Sequence, residues 1–311
     1  MTCTNPIFVK DKISGKDILV PCGQCTACRI KRSTEWKYRL MAELPYWNYN
    51  ACFVTLTYDD EHLPVDRSLN KEDLKKFFKR LRKDLVLEGR YHITPSGSKS
   101  CDLKYYACGE YGDITLRPHY HAIIFGLNYD EHDRQLIMDN WRLCDPLRFK
   151  KSNGQEKGFA PVSPEDIGYV TGYVQKKYSG KLAKNIYGDR LPPFSVNSQG
   201  LGLRFAEDNK DRVVNNMLTI NGTPISVPRY FIRKLGIDHF EDNYRNHVRS
   251  ICDYIINTCG SSHYQFLINC LGQGRFELIE TKYRALKEQS FNQLEKNLKA
   301  KAEIKGNNYE V

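Results

Sequence analysis

The residues best suited to chemistry in this chain are His119 and His121, set either side of Tyr120 in the string RPHYHAIIFG. On a strand, alternate side chains share a face, so the two imidazoles project together as a pair of metal ligands. A stable catalytic site wants at least one more protein ligand, and Glu110, at the end of YYACGE, is the best candidate. If YGDITLRP connects two antiparallel strands, the return brings the Glu110 carboxylate toward both histidines. Two imidazoles and one carboxylate leave positions open for phosphate oxygens and water, a mixed set that suits Mg²⁺ or Mn²⁺ and is also compatible with zinc. Taken alone, the three-residue string fits equally well an ordinary strand in which one histidine pairs with a carboxylate.

Tyr169 and Tyr173 are four residues apart, so a helix turns both phenols toward one site, with Lys176 and Lys177 close behind. A phenol has an ordinary pKa of about 10, so as a nucleophile at neutral pH it needs a nearby cation or base. Lys176, Lys177 and the metal are the available sources. Attack on a metal-polarised phosphodiester would give a covalent phosphotyrosine and a free hydroxyl on the leaving strand, conserving the bond energy for rejoining. In a chain with 20 tyrosines, an aromatic pair at this spacing is more often packing than catalysis. The weight lies in the order: a strand with Thr55 and Thr57, then Glu110 and His-Tyr-His, then the tyrosine pair with its lysines.

Other elements must position these groups. ACFVTLTY at 51 to 58 alternates β-branched and aromatic residues and reads as the first core strand, ending at Asp59 and Asp60. Asn70 can cap a helix whose Leu74, Phe77, Phe78, Leu81 and Leu85 form one apolar stripe. LKYYACGEYG and PHYHAIIFGL read as a hairpin of two strands, after a loop or hairpin tip at 90 to 102. DEHDRQLIMDNWR reads as a short helix, and Ser163-Pro164-Glu165-Asp166 is a helix start, which puts the tyrosines on a helix. A further helix spans about 26 to 44, Asn221-Gly222 marks a hairpin turn, and the chain is helical and charged from about 238 onward.

The chain has 311 residues and a net charge of +10, which makes an anionic partner, nucleic acid first, a reasonable expectation. No run approaches the roughly 18 apolar residues of a membrane span, and no apolar leader opens the sequence. A soluble protein of a reducing cytoplasm is expected, consistent with an odd cysteine count of 11. Within PCGQCTACR, Cys22, Cys25 and Cys28, with Cys3 as a fourth, could form a structural Zn²⁺ site. An iron–sulfur cluster would use similar thiolates, and three unligated thiols in a tight turn is the plainer alternative. Arg29, Lys31, Arg32 and Lys37, which follow, could track a DNA backbone, although such residues usually form a solvated helix face.

The combination resembles the HUH endonucleases, and within them the rolling-circle replication initiators of gokushovirus-like microviruses. The resemblance rests on FVTLTYDDEHLP, GEYGDITLRPHYHAIIFG, GYVTGYVQKKY and the amino-terminal PCGQCTACR, with weaker support from VPRYFIRKL. It implies an origin nickase in which Glu110, His119 and His121 hold Mg²⁺ or Mn²⁺ while Tyr169 and Tyr173 alternate as nucleophiles on single-stranded origin DNA. The released 3′ hydroxyl would prime a host polymerase, with a host helicase as a further partner, in the cytoplasm of a bacterial host. Family members often carry a lysine between the two tyrosines. This chain has Gly172 there, which leaves Lys176 and Lys177 to supply local charge.

The expected fold is α+β: a ferredoxin/RRM-like antiparallel sheet with helices on one face. The expected domains are a cysteine knuckle at 1–30, the endonuclease domain at 31–205, and a β-hairpin and helical region at 206–311. Two rivals compete with the nickase: a non-catalytic DNA-binding regulator built on the knuckle, and a metal-dependent nuclease that uses water.

Overall fold

The computed structural model describes residues 3–4, 7–10, 17–112, 115–144, 158–173, 180–237, 240–260, 263–275, 277–279, 281–283, 285–286 and 296. The chain forms two compact units, Arg29–Phe231 and a smaller one made of Met1–Cys28 with Ile232–Val311. The smaller unit opens on an antiparallel hairpin, β1 (Ile7–Lys10) and β2 (Asp17–Val20). The chain continues through α1 (Thr26–Glu43), β3 (Ala51–Thr57), α2 (Lys71–Leu87) and a short hairpin of β4 (Tyr91–Ile93) and β5 (Lys99–Cys101). Then come β6 (Lys104–Tyr111), β7 (Pro118–Phe125), α3 (Glu131–Asn140), β8 (Phe159–Pro161), α4 (Pro164–Gly172), α5 (Gly180–Tyr187) and β9 (Phe194–Asn197). Short helices α6 (Leu203–Asp208), α7 (Lys210–Val214) and α8 (Arg229–Lys234) surround the hairpin β10 (Thr219–Ile220) and β11 (Thr223–Pro224). Asn221 and Gly222 turn that hairpin with φ of 49° and 75°, the left-handed pair that such a tight turn demands. Helices α9 (Phe240–Cys259) and α10 (Tyr264–Gly272) enclose a separate small core around Ile251, Ile255 and Leu267.

The larger unit is α+β around a five-stranded sheet of order β8-β3-β7-β6-β9, with every neighbouring pair antiparallel. Helix α2 starts where Asn70 accepts a hydrogen bond from the Glu72 N–H, and Glu72 and Asp73 sit favourably in its positive first turn. Its buried stripe of Leu74, Phe77, Phe78, Leu81 and Leu85 shares a core with Cys52, Val54 and Leu56 of β3 and with Tyr120, Ala122 and Ile124 of β7. The opposite parity of the same strands, including Ala51, Ile123, Phe125, Tyr106 and Cys108, packs with Leu40 of α1 and with Ile167 and Val170 of α4. Helices therefore cover both faces, where the sequence suggested one. The reason is visible in β7. After the histidines it reads Ala122-Ile123-Ile124-Phe125, apolar at both parities, and such a strand must be buried on both sides.

Two buried polar fixtures hold the helices at their angles. Arg39 of α1 lies over the Trp36 ring at 3.9 Å and the Tyr230 ring at 3.6 Å while its Nε donates to the Leu201 carbonyl. Arg90, just past α2, forks onto both carboxylate oxygens of Asp133 in α3 and also donates to the Gly126 carbonyl at the end of β7. Asp133 is 1% exposed and accepts a further bond from the Asn128 N–H at 2.6 Å. Burial pushes its carboxyl up, but the Arg90 and Asn128 bonds outweigh that and hold it below the usual value.

Removing one partner of such a buried pair strands the other, so Asp133→Asn should lower stability by about 3 kcal/mol at neutral pH, read from urea unfolding. Because the folded-state pKa is depressed, this stabilisation is complete above the unfolded value of about 3.9 and disappears as pH falls through the folded one. Wild type and variant should therefore converge in acid.

Candidate metal centre and tyrosine pair

The β6–β7 register sets Glu110 opposite His119 and Cys108 opposite His121, while β3 sets Thr57 and Thr55 opposite the same two histidines. Opposed residues in an antiparallel pair point to one side, so all six side chains stand on the face that carries α4. Tyr120 points the other way. Its phenol lies 2.7 Å from the Tyr58 hydroxyl, accepts from the Asn70 N–H at 2.8 Å and donates to the Asn70 carbonyl at 2.9 Å. The residue between the histidines thus fastens the start of α2 to β7.

His119 Nε2 and His121 Nε2 lie 2.9 and 3.2 Å from the same Glu110 oxygen, Oε1. Each ring is oriented from behind. His119 Nδ1 donates to the Arg117 carbonyl at 3.1 Å, and His121 Nδ1 is 3.0 Å from the Thr55 hydroxyl. An Nδ1–H pointed at a carbonyl leaves Nε2 of the neutral ring with its lone pair toward Glu110, the tautomer a metal ligand requires. The three ligand atoms all fall within 4.8 Å of one another. Burial raises the Glu110 carboxyl, yet hydrogen bonds and charge from His119 and His121 win and lower it to about 2, so the group is an anion at neutral pH. An anionic oxygen and two convergent imidazole nitrogens, held by partners on their far sides, fit a divalent cation.

Helix α4 lays the tyrosines over this trio. Ser163 and Asp166 form a reciprocal capping box, with the Ser163 hydroxyl accepting from the Asp166 N–H and the Asp166 carboxylate accepting from the Ser163 N–H. Tyr169 lies within the helix and Tyr173 is its C-terminal cap, still in helical conformation. The Tyr173 ring stacks on His121 with centroids 4.7 Å apart and planes 2° from parallel. Tyr169 meets His121 edge-on at 5.3 Å and Tyr173 at 4.9 Å. Burial first, then the Glu110 charge and hydrogen bonds with Tyr169 and Glu110, push the Tyr173 phenol above its ordinary pKa. Neutralising Glu110 is therefore the condition for Tyr173 to ionise.

Several positions differ from a reading of the sequence alone. Thr55 and the Arg117 carbonyl orient the imidazoles; only the pairing register reveals them. Arg29, expected on a solvated face, is buried, while Lys31 and Arg32 are exposed. Lys37 turns toward α4: a β-carbon built on Gly168 would lie 3.8 Å from its Nζ, and one on Gly172 would meet no described atom within 4 Å. One face of the tyrosine helix is thus bare backbone with an ammonium group beside it. Lys176 and Lys177 fall outside the described residues. Cys3, Cys22, Cys25 and Cys28 gather in the smaller unit with sulfurs within 4.8 Å of one another.

Residues 51–178, from β3 past the second tyrosine, match the family model for the replication-associated protein ORF2. The chain is 32% identical over 248 residues to replication-associated protein ORF2 of Spiroplasma virus 4, covering 74% of this chain and 72% of that protein. It belongs to the ORF2 family of replication-associated proteins. Replication-associated protein VP4 of Bdellovibrio phage phiMH2K is 28% identical over 72% of this chain and 70% of its own length. Replication-associated protein ORF4 of Chlamydia phage 1 is 29% identical over 76% of this chain and 60% of its own length. No solved structure matches at a significant level. Among the described residues no helix is long and apolar enough to cross a membrane.

Thr55→Val keeps the shape of the side chain and removes the hydroxyl behind His121. It should weaken Mn²⁺ binding about 10- to 100-fold in calorimetric titration while the folded circular dichroism is kept. Unchanged affinity would show that Thr55 does not orient this ligand.

Proposed function

We propose that this chain initiates rolling-circle replication of a small single-stranded DNA genome by nicking and rejoining its origin through a 5′-phosphotyrosine. The observation that carries the reading is the convergence of His119 Nε2, His121 Nε2 and Glu110 Oε1, with both tyrosine rings packed on His121. Glu110, His119 and His121 hold Mg²⁺ or Mn²⁺, which when bound supplies Lewis-acid polarisation of the scissile phosphate. The phenolic oxygen of Tyr169 or Tyr173 attacks phosphorus and gives up its proton. The bond to the 3′ oxygen breaks, that oxygen leaves protonated, and the 5′ phosphate stays on tyrosine. The second tyrosine attacks the regenerated origin after one round, and the first-formed end is passed back to a 3′ hydroxyl to close a circle.

Membership of a replication-associated family supports this reading over a general nuclease, since a water-using enzyme has no need of two phenols beside its metal ligands. The same reading gives Lys176 and Lys177 the task of local positive charge, residues 31–205 the chemistry, and the released 3′ hydroxyl to a host polymerase working with a host helicase in the bacterial cytoplasm. Lys37 and the bare Gly168/Gly172 face give the DNA backbone a place to approach α4.

Incubating the protein with labelled single-stranded origin DNA and Mn²⁺ should give an adduct that survives denaturation. The Tyr169→Phe, Tyr173→Phe double variant should reduce the adduct to background, and His119→Ala with His121→Ala should abolish nicking. Full adduct formation in the double tyrosine variant would remove these residues as nucleophiles. Cleavage that persists without any adduct would point to water as the nucleophile, and binding without cleavage to a regulator. Lys37→Ala should weaken single-strand binding and flatten its dependence on log salt by roughly one phosphate contact, about 0.7 in slope.

A further inference from the structure

The cysteine cluster of the smaller unit lies outside the tyrosine chemistry and has its own geometry. Cys3 Sγ is 3.5 Å from Cys22 Sγ and 3.7 Å from Cys25 Sγ, and with Cys28 all four sulfurs lie within 4.8 Å of one another. A disulfide needs about 2.05 Å between sulfurs, so these distances describe no bond. A zinc ion with four thiolates at about 2.3 Å has sulfur–sulfur edges of about 3.8 Å, which these separations approach. An iron–sulfur cluster spreads its cysteines over several irons and would not gather all four sulfurs around one point.

The backbone is shaped for charged sulfur as well. The Cys22 N–H donates to Cys3 Sγ at 3.3 Å, and the Gln24 and Cys25 N–H groups donate to Cys22 Sγ at 3.4 and 3.3 Å. Gly23, at φ 73°, supplies the left-handed turn that folds these amides back over the sulfur. Helix α1 then begins at Thr26, presenting Cys25 and Cys28 at its positive end.

Burial gives this segment little support. Ile7 and Val9 of β1 are 44% and 37% exposed, too open to hold a two-stranded hairpin by themselves. We infer that Cys3, Cys22, Cys25 and Cys28 bind one structural zinc ion, which closes the loop from residue 3 to residue 22 and holds the β1–β2 hairpin to the start of α1. The ion does no chemistry on DNA, and the assignment is independent of whether the tyrosines cut.

The full chain, purified without added metal, should contain about one zinc per molecule by elemental mass spectrometry, and the His119→Ala, His121→Ala variant should contain as much. The Cys22→Ser, Cys25→Ser variant should lose it. Cobalt substitution of the wild-type chain should give the intense visible bands of a tetrahedral thiolate site, and stripping with a chelator should make all four cysteines alkylatable together, which keeps the test open if the serine variant fails to fold. Iron with acid-labile sulfide, a disulfide among the four cysteines in a chain purified under reducing conditions, or the absence of stoichiometric zinc would each overturn the assignment. So would zinc that survives in the serine variant or departs with the histidines.

Discussion

The site depends on the register between β6 and β7. With Glu110 opposite His119, the three ligand atoms meet on the α4 face. A shift of one residue would carry both histidines into the α2 core and bring Tyr120 to the α4 side, because strand side chains alternate with a period of two. The Tyr120 phenol resists that shift. Its bonds to Asn70 and Tyr58 exist only when it points into the α2 layer, and a buried phenol deprived of them would lose about 1–3 kcal/mol. The aromatic residue between the histidines therefore fixes the direction of both imidazoles without touching what they bind.

A second dependence runs between the carboxylate and the phenols. Glu110 is buried and anionic, and the same charge that makes it a ligand keeps Tyr173 protonated. Packing the nucleophile against the ligand set couples the two: a cation that satisfies Glu110 also relieves the phenol. The stack of Tyr173 on His121 and the capped start of α4 hold this arrangement before any substrate arrives, which reduces the reorganisation left to the reaction.

The positive charge of the chain is less available than its total of +10 suggests. Arg39 is enclosed between aromatic rings, Arg90 is spent on Asp133, and Arg80 donates to the Asn140 carbonyl, so several cations hold helices to one another and do not face a polyanion. Lys31, Arg32 and Lys37 on α1 remain outward or beside α4. Composition counts charge, and packing decides which charges can reach a phosphate.

Local patterns made much of this legible in the sequence. Alternation marked the strands at 51–57 and 118–125, Asn70 and the Ser163 to Asp166 box marked two helix starts, and spacing put His119 with His121 and Tyr169 with Tyr173. Those signals are local because strand parity, helical pitch and capping are set by residues a few positions apart. Tertiary structure alone decided that helices cover both faces of the sheet, that Thr55 and the Arg117 carbonyl stand behind the imidazoles, that Arg29 is buried and that Lys37 lies along the tyrosine helix. Each of these joins residues far apart in the chain. No short-range periodicity encodes them, because they follow from which surfaces must be buried together and which register satisfies the polar groups left inside.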